Sequence, residues 1–258
     1  MQRLDRQRID ALLFDHDGVV TRTAAVHAAA WKRLFDDFLA RRAAGRSWQP
    51  FDVERDYRAN VDGTPRHDGV RSFLGARGFS LPEGTPNEDP EAETIHGLAE
   101  RKNGYVLAHL AREGVQAYEV ATAFIREARA RGFRITVVSA SENCADVLQA
   151  AGLEALFDVR VDGTDIARFG LRDKPAPDTF RDAARRLGVA PARAVVFEDA
   201  IAGVQAGRAG GFALVIGVDR VDHVEVLRRN GANVVVTRLS EVQLDGGGLA
   251  GRTEAQTP

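Results

Sequence analysis

The chain has 258 residues, 44% of them apolar, and a formal net charge of −2. That length accommodates one large domain or two modest ones, and so balanced a charge points to neither a nucleic acid nor an anionic membrane as partner. The single cysteine, Cys144, excludes an internal disulfide and suits a reducing compartment, and no apolar run approaches the roughly 20 residues that span a bilayer. The opening MQRLDRQRIDALLF is charged and lacks a secretory pattern, so a cytoplasmic protein is expected.

The first strand expected is Asp10–Phe14 (DALLF), which runs into Asp15-His16-Asp17-Gly18. Helical patterns follow at Ala24–Arg42, Asp68–Ala76 and Ile95–Arg112, the last two separated by a loop of Pro, Gly and acid, Ser80–Glu93. From Tyr118 onward helices alternate with short apolar strands. The helices expected are Tyr118–Arg131, Asn143–Ala151, Pro177–Leu187, Ala202–Ala209 and Val221–Arg229. The strands are Arg134–Val138, Asp158–Val161, Ala194–Phe197, Ala213–Ile216 and Asn233–Val236. These strands are mostly apolar rather than alternating, which suits a parallel sheet covered on both faces, and the alternation with helices makes the class α/β. The strand-poor stretch after the first strand reads as a second domain on two hinges. The expected division is residues 1–23 and 118–240 as α/β core, 24–117 as helical cap and 241–258 as a flexible tail.

In an open parallel sheet, ligands gather at the carboxyl ends of the strands. Here those ends carry Asp15-His16-Asp17-Gly18, Ser139-Ala140-Ser141 and Glu198-Asp199, and the loop before Pro177–Leu187 carries Lys174. If they converge, one site holds several carboxylates, a hydroxyl and an ammonium. Mg²⁺ would relieve the carboxylate crowding, and a phosphate would sit against Lys174, Ser139 and backbone N–H groups. Asp15 stands where a nucleophile is presented, and attack on phosphorus would give an aspartyl-phosphate. Asp17 could move a proton to or from the sugar oxygen, and Gly18 would allow a sharp turn beside the ligand. Only three of the 35 basic residues are lysines, Lys32, Lys102 and Lys174, so each is a weak pointer to a need for a compact ammonium.

Each piece alone has a plainer reading. A DxDG can be a solvated turn, Ser139 a strand-end cap, Lys174 a loop cation, and Glu198-Asp199 a helix start using acids against the dipole. His27 and Trp31, four apart on a helix, would ordinarily be a packing pair, and Arg66 a surface cation. GVQAGRAGGF reads as close helix–sheet packing rather than a dinucleotide loop.

Taken together and in order, FDHDGVVT, VVSAS, KPAPD and FEDAIAG resemble the four motifs of the haloacid dehalogenase-like phosphotransferases, over about 150 residues of the α/β core. The resemblance implies a Rossmann-like parallel sheet with an inserted helical cap. It implies Asp15 as nucleophile, Asp17 as general acid/base, and Ser139 and Lys174 as phosphate binders. It places Mg²⁺ on Asp15, the Asp17 carbonyl, Glu198 and Asp199. TAAVHAAAWK, VDGTPRHDGVRSFL, ERKNGYV and SASEN resemble the β-phosphoglucomutase branch of that superfamily. That likeness adds His27, Arg66, Lys102, Asn103, Ser141 and Asn143 as groups near the substrate, Arg66 gripping the phosphate that does not react. The departures are Glu142 in place of a lysine, Arg22 in place of a hinge aspartate, and His16 between the two aspartates. The expectation is a monomeric mutase acting on a small sugar phosphate, with a phosphatase as the alternative. A non-catalytic binding protein on the same fold would be expected to lack Asp15 or Lys174.

Overall fold

The computed structural model describes residues 1–43, 47–220 and 222–245. Its main sheet has six parallel strands in the order β4-β3-β2-β5-β6-β7. These are β2 (Ala11–Asp15), β3 (Arg134–Val138), β4 (Val159–Val161), β5 (Ala194–Glu198), β6 (Leu214–Val218) and β7 (Val234–Val236). The order reverses at β2: the chain builds outward through β3 and β4, then returns to β5 on the other side. The carboxyl end of β2 is therefore the topological switch point, where a crevice opens.

The continuous apolar runs have a structural reason. Successive side chains point to opposite faces, and both faces are covered. Leu12, Phe14, Ile135, Val137, Val195 and Phe197 pack into one cluster, while Ala11, Leu13, Val138, Ala194 and Val196 pack into another. Phe14 and Phe197 are register partners and their rings stack at 4.6 Å, with Phe124 of α5 (Glu119–Ala130) edge-on to both. Because Phe14 precedes Asp15 and Phe197 precedes Glu198, this stack sets the two carboxylates side by side.

Among the described residues, four helices lie between β2 and α5: α1 (Ala24–Ala43), α2 (Arg55–Asn60), α3 (Arg66–Ala76) and α4 (Ile95–Glu113). They close around an aromatic cluster of their own, in which Trp31, Phe35, Phe51 and Phe73 stack on one another. The strand-free loop expected at residues 80–93 is pinned at its end, where Pro82 O and Glu83 O accept from Ile95 N and His96 N. The chain leaves and re-enters the sheet side by side: Arg22 N donates to Gln116 O at 2.8 Å and Tyr118 N to Val20 O at 3.0 Å.

The expected α/β class and parallel sheet are borne out, and three local expectations are corrected. The tail expected from residue 241 is not seen at Val242–Asp245, which form β8 and pair in parallel with β1 (Gln2–Asp5); residues 246–258 lie outside the described residues. α2 and α7 (Gly163–Phe169) were not expected. The helix expected from Val221, itself outside the described residues, is α10 (Val224–Asn230). The remaining helices, α6 (Cys144–Ala150), α8 (Asp178–Leu187) and α9 (Ile201–Gly210), lie within a residue or two of expectation.

Candidate active site

Asp15 ends β2, beside Val138 at the end of β3, and Glu198 ends β5, so the polar residues of three strand ends meet at the switch point. Asp15, Glu198 and Asp199 each offer an oxygen, all within 4.8 Å of one another. Lys174 enters from the loop before α8, its Nζ donating to Asp15 Oδ1 at 2.5 Å and to Glu198 Oε1 at 2.6 Å. The other Glu198 oxygen accepts from Ala200 N at 2.8 Å. Three carboxylates facing one ammonium leave an excess of two negative charges in a largely buried pocket. Burial and the Glu198 charge accordingly push the Asp15 carboxyl well above the usual range, and burial and Asp15 do the same to Asp199. Burial opposes the Lys174 charge, but Asp15 and Glu198 outweigh it and hold the ammonium protonated. An all-oxygen cluster with two uncompensated charges fits a hard dication such as Mg²⁺.

Glycines make the crowding possible. Gly18 has φ +85°, and a Cβ there would lie 1.7 Å from Asp199 Oδ2. A Cβ on Gly203 of α9 would lie 1.7 Å from Glu198 Oε1, and one on Gly207 would press on Val215 at 3.0 Å. The GVQAGRAGGF segment is thus close helix–sheet packing, as its sequence suggests, and it also makes room for Glu198.

Asp17 sits on the same turn in a different setting. Its Oδ1 accepts from Thr23 Oγ1 and lies 3.5 Å from His16 Nδ1 and 3.7 Å from His27 Nε2. Burial would raise Asp17, but the His16 ring and the Thr23 hydroxyl hold it below the usual carboxylate range. His27 Nδ1 accepts from Lys102 Nζ at 2.7 Å, which leaves the ring proton on Nε2, facing Asp17. Burial and the Lys102 ammonium push His27 down to about 4, and burial pushes Lys102 down to about 7.

The helical segment forms the opposite wall of a cleft over this turn. Asp15, Asp17, His27, Arg66, Lys102, Ala140, Ser141, Asn143 and Asp199 all line it. Lys174, Glu198 and Ser139 are buried behind the lining, and Ser139 Oγ accepts from Ser141 N at 3.1 Å, the strand-end cap geometry. Trp31 belongs to the helical cluster yet also backs Lys102, whose Nζ lies 4.8 Å from the ring centroid. Of the three lysines two are at the cleft, and Lys32 holds Asp36 and Phe51 O within the helical segment. The sequence reading missed Thr23, Tyr57 and Asp62. Asp62 faces the same cleft, and burial with the Glu198 charge raises it to about 7. It stands inside the quoted VDGT segment just after α2, and nothing in that local sequence signals its burial.

The model of the haloacid dehalogenase-like hydrolases matches residues 9–211. The chain belongs to that family. Among haloacid dehalogenase-like relatives, a β-phosphoglucomutase of Mycobacterium bovis is 45% identical over 241 residues, 92% of each chain. The β-phosphoglucomutase structure from Clostridium difficile superposes with a TM-score of 0.71 at 26% identity, covering 90% of this chain and 92% of that one. CbbY from Rhodobacter sphaeroides, solved with xylulose-(1,5)bisphosphate, superposes with a TM-score of 0.68 at 26% identity over 92% of this chain and 97% of that one. This haloacid dehalogenase-like protein is therefore an enzyme of the phosphotransferase or isomerase type. Among the described residues no helix is long and apolar enough to cross a membrane.

Proposed function

We propose that the protein is a Mg²⁺-dependent sugar-phosphate mutase interconverting β-glucose 1-phosphate and glucose 6-phosphate through an aspartyl-phosphate on Asp15. The observation that carries this reading is one turn bearing two carboxyls in opposed settings. Asp15 sits against Lys174 in the acid cluster, and Asp17 accepts from Thr23, lies beside His16 and lines the cleft. On this reading Asp15, beside the Lys174 ammonium, is the nucleophile, and Asp17, which lines the cleft, passes the proton. In one half-reaction a sugar hydroxyl oxygen bonds to phosphorus, the bond from phosphorus to Asp15 breaks, and Asp17 takes the hydroxyl proton. In the other, the second phosphate passes to Asp15 and Asp17 returns the proton to the departing sugar oxygen. Asp15, the Asp17 carbonyl, Glu198 and Asp199 would hold Mg²⁺, which when bound neutralises the charge of nucleophile and phosphate. Residues 24–117 serve as the cap. Arg66 and Lys102 reach from it toward the distal phosphate, with Ser141 and Asn143 opposite, while Lys174 and Ser139 stand at the reacting one. Water must be excluded, because hydrolysis of the aspartyl-phosphate competes with its return to sugar.

A phosphatase on small sugar phosphates is the second reading. It is favoured by Glu142, which stands 2.9 Å from Arg66 and offsets the charge a distal phosphate would use. The deciding assay supplies β-glucose 1-phosphate with trace glucose 1,6-bisphosphate. The mutase yields glucose 6-phosphate with little free phosphate; free phosphate as the main product selects the phosphatase. Asp15→Asn removes either activity.

A further inference from the structure

Arg66 lies on α3 with its side chain 14% exposed, and a single nitrogen, Nη2, meets two carboxylates. Glu100 Oε1 of α4 is 2.8 Å away and Glu142 Oε2, on the loop after β3, is 2.9 Å away. These two acids are not equivalent. Glu100 travels with Arg66 on the same helical segment and is 19% exposed; Glu142 belongs to the sheet side of the cleft and is 39% exposed. The Glu142 backbone is fixed, because a Cβ on Gly163 would lie 2.7 Å from both Glu142 N and Ala140 O, and Gly163 N itself donates to Ser141 O at 3.2 Å. Only the side chain is free to leave. The next residue spans the cleft too: Asn143 Nδ2 donates to Asn103 Oδ1 of α4 at 2.6 Å. Residues 142 and 143 thus bridge the two walls of the cleft at two adjacent points.

We propose that Glu142 is an internal stand-in for the substrate's distal phosphate. It pairs with Arg66 and keeps the cleft closed in the ligand-free protein, and the phosphate must displace it to bind. This rests on the sugar-phosphate reading above. The reason is charge. Arg66 already faces two carboxylates, so a dianionic phosphate reaching it with Glu142 in place would meet a like charge within a few ångströms. Once the Glu142 side chain swings out toward solvent, the guanidinium presents its fork to the phosphate, a stronger acceptor set. The exchange keeps Arg66 paired in both states, which a half-buried guanidinium requires. It also weakens retention of the distal phosphate, as is needed where a bisphosphate must turn over and present its other end. Glu142 acts through Arg66, so it is a positioning residue and touches no reacting atom.

The test compares Asp15→Asn, which cannot turn over, with the same protein carrying E142Q, R66A or both. Calorimetry measures binding of glucose 6-phosphate to each. E142Q keeps the shape and removes the charge, and it is expected to tighten binding up to about fivefold, the effect of losing one competing, partly exposed ion pair. In the R66A background E142Q should change nothing, since the gain passes through Arg66. Unchanged or weaker binding by E142Q overturns the proposal while leaving the mutase reading intact. Failure of Asp15→Asn itself to bind glucose 6-phosphate, with no mutase or phosphatase turnover in wild type, defeats the sugar-phosphate reading and this proposal with it. A ligand-free arm is independent of any sugar. Hydrogen exchange at residues 139–143 and in α3 should be faster in E142Q than in wild type, and equal rates overturn the claim that Glu142 keeps the empty cleft closed. In the otherwise unmodified enzyme, E142Q should lower KM with kcat unchanged or reduced, a split that a merely structural role would not produce.

Discussion

Asp15 and Asp17 are two residues apart yet are driven in opposite directions, and the cause is what each meets. Asp15 shares its burial with Glu198 and Asp199, so its charge is disfavoured until a cation joins Lys174. Asp17 meets a hydroxyl and two imidazoles. Gly18 lets the turn hold both settings. Its φ of +85° strains any side-chain-bearing residue, and its missing Cβ is the space that Asp199 Oδ2 occupies. Gly18→Ala should therefore cost about 1–3 kcal/mol of stability from the backbone strain alone. If Mg²⁺ binds as proposed, the substitution should also weaken that binding, because Asp199 must move. Urea denaturation reads the first effect, and a Mg²⁺ titration of activity, with the half-saturating concentration raised at least about tenfold, reads the second. Activity at an unchanged Mg²⁺ requirement would show that Asp199 is not held by this contact.

At the scale of elements, β2 is anchored at its start by charge and along its length by stacking. Asp10 accepts from Arg6 Nη1 at 2.6 Å and from Arg193 through both Nε and Nη2, tying the chain before β2 to the turn before β5. The Arg193 hydrogen bond, with help from Arg6, lowers the Asp10 carboxyl from 3.8 to about 2. A carboxyl depressed in the folded state adds stability above its unfolded pKa and loses it as pH falls through the folded one. Asp10→Asn should thus destabilise by about 1–2 kcal/mol near pH 7, allowing for partial exposure, and the gap should narrow as pH falls from about 4 toward 2. Urea midpoints of both proteins across that range are the measurement. The same contrast explains what was legible in sequence. Strands β2, β3 and β5 stand out because both faces are buried, so most of their residues are apolar. The four-residue strands β1 and β8 do not, since QRLD and VQLD place charge and amide among few apolar side chains and are defined mainly by pairing with each other. α7 did carry a local signal: Asp162 and Asp165 form a reciprocal capping box, which reads as an ordinary acidic loop until the helix is there. The acids at the strand ends were legible because topology gathers those ends. Thr23, Asp62 and the pairing of Arg66 with Glu142 were not, because each depends on how the helical segment docks.

For the molecule as a whole, on the proposed reading, docking of the helical segment decides between mutase and phosphatase chemistry. It is held at three places. The hinge strands run side by side, and the Tyr118 ring between them is flanked by Arg22 at 5.0 Å and Arg220 at 3.9 Å, Arg220 also donating to Gly18 O at 2.8 Å. Glu142 and Asn143 close the substrate side. On the far side Arg58 of α2 hydrogen-bonds the ring of His223, the residue before α10, and the His223 backbone N–H donates to Asp219 just after β6. That last contact borders a second cavity, shared by Tyr57, Asp62 and Asp199, which reaches the acid cluster from behind. Loosening it should admit water to Asp15 without touching any group that binds sugar. If the aspartyl-phosphate forms as proposed, Arg58→Ala should raise the ratio of free phosphate to glucose 6-phosphate about fivefold, the effect expected from losing roughly 1 kcal/mol of closure. Total consumption of β-glucose 1-phosphate should change far less, because the nucleophile, the proton carrier and the phosphate groups stay in place. Measuring both products in one reaction separates the outcomes. A raised ratio assigns water exclusion to the α2–α10 contact, whereas an unchanged ratio with lowered turnover assigns that contact to stability alone.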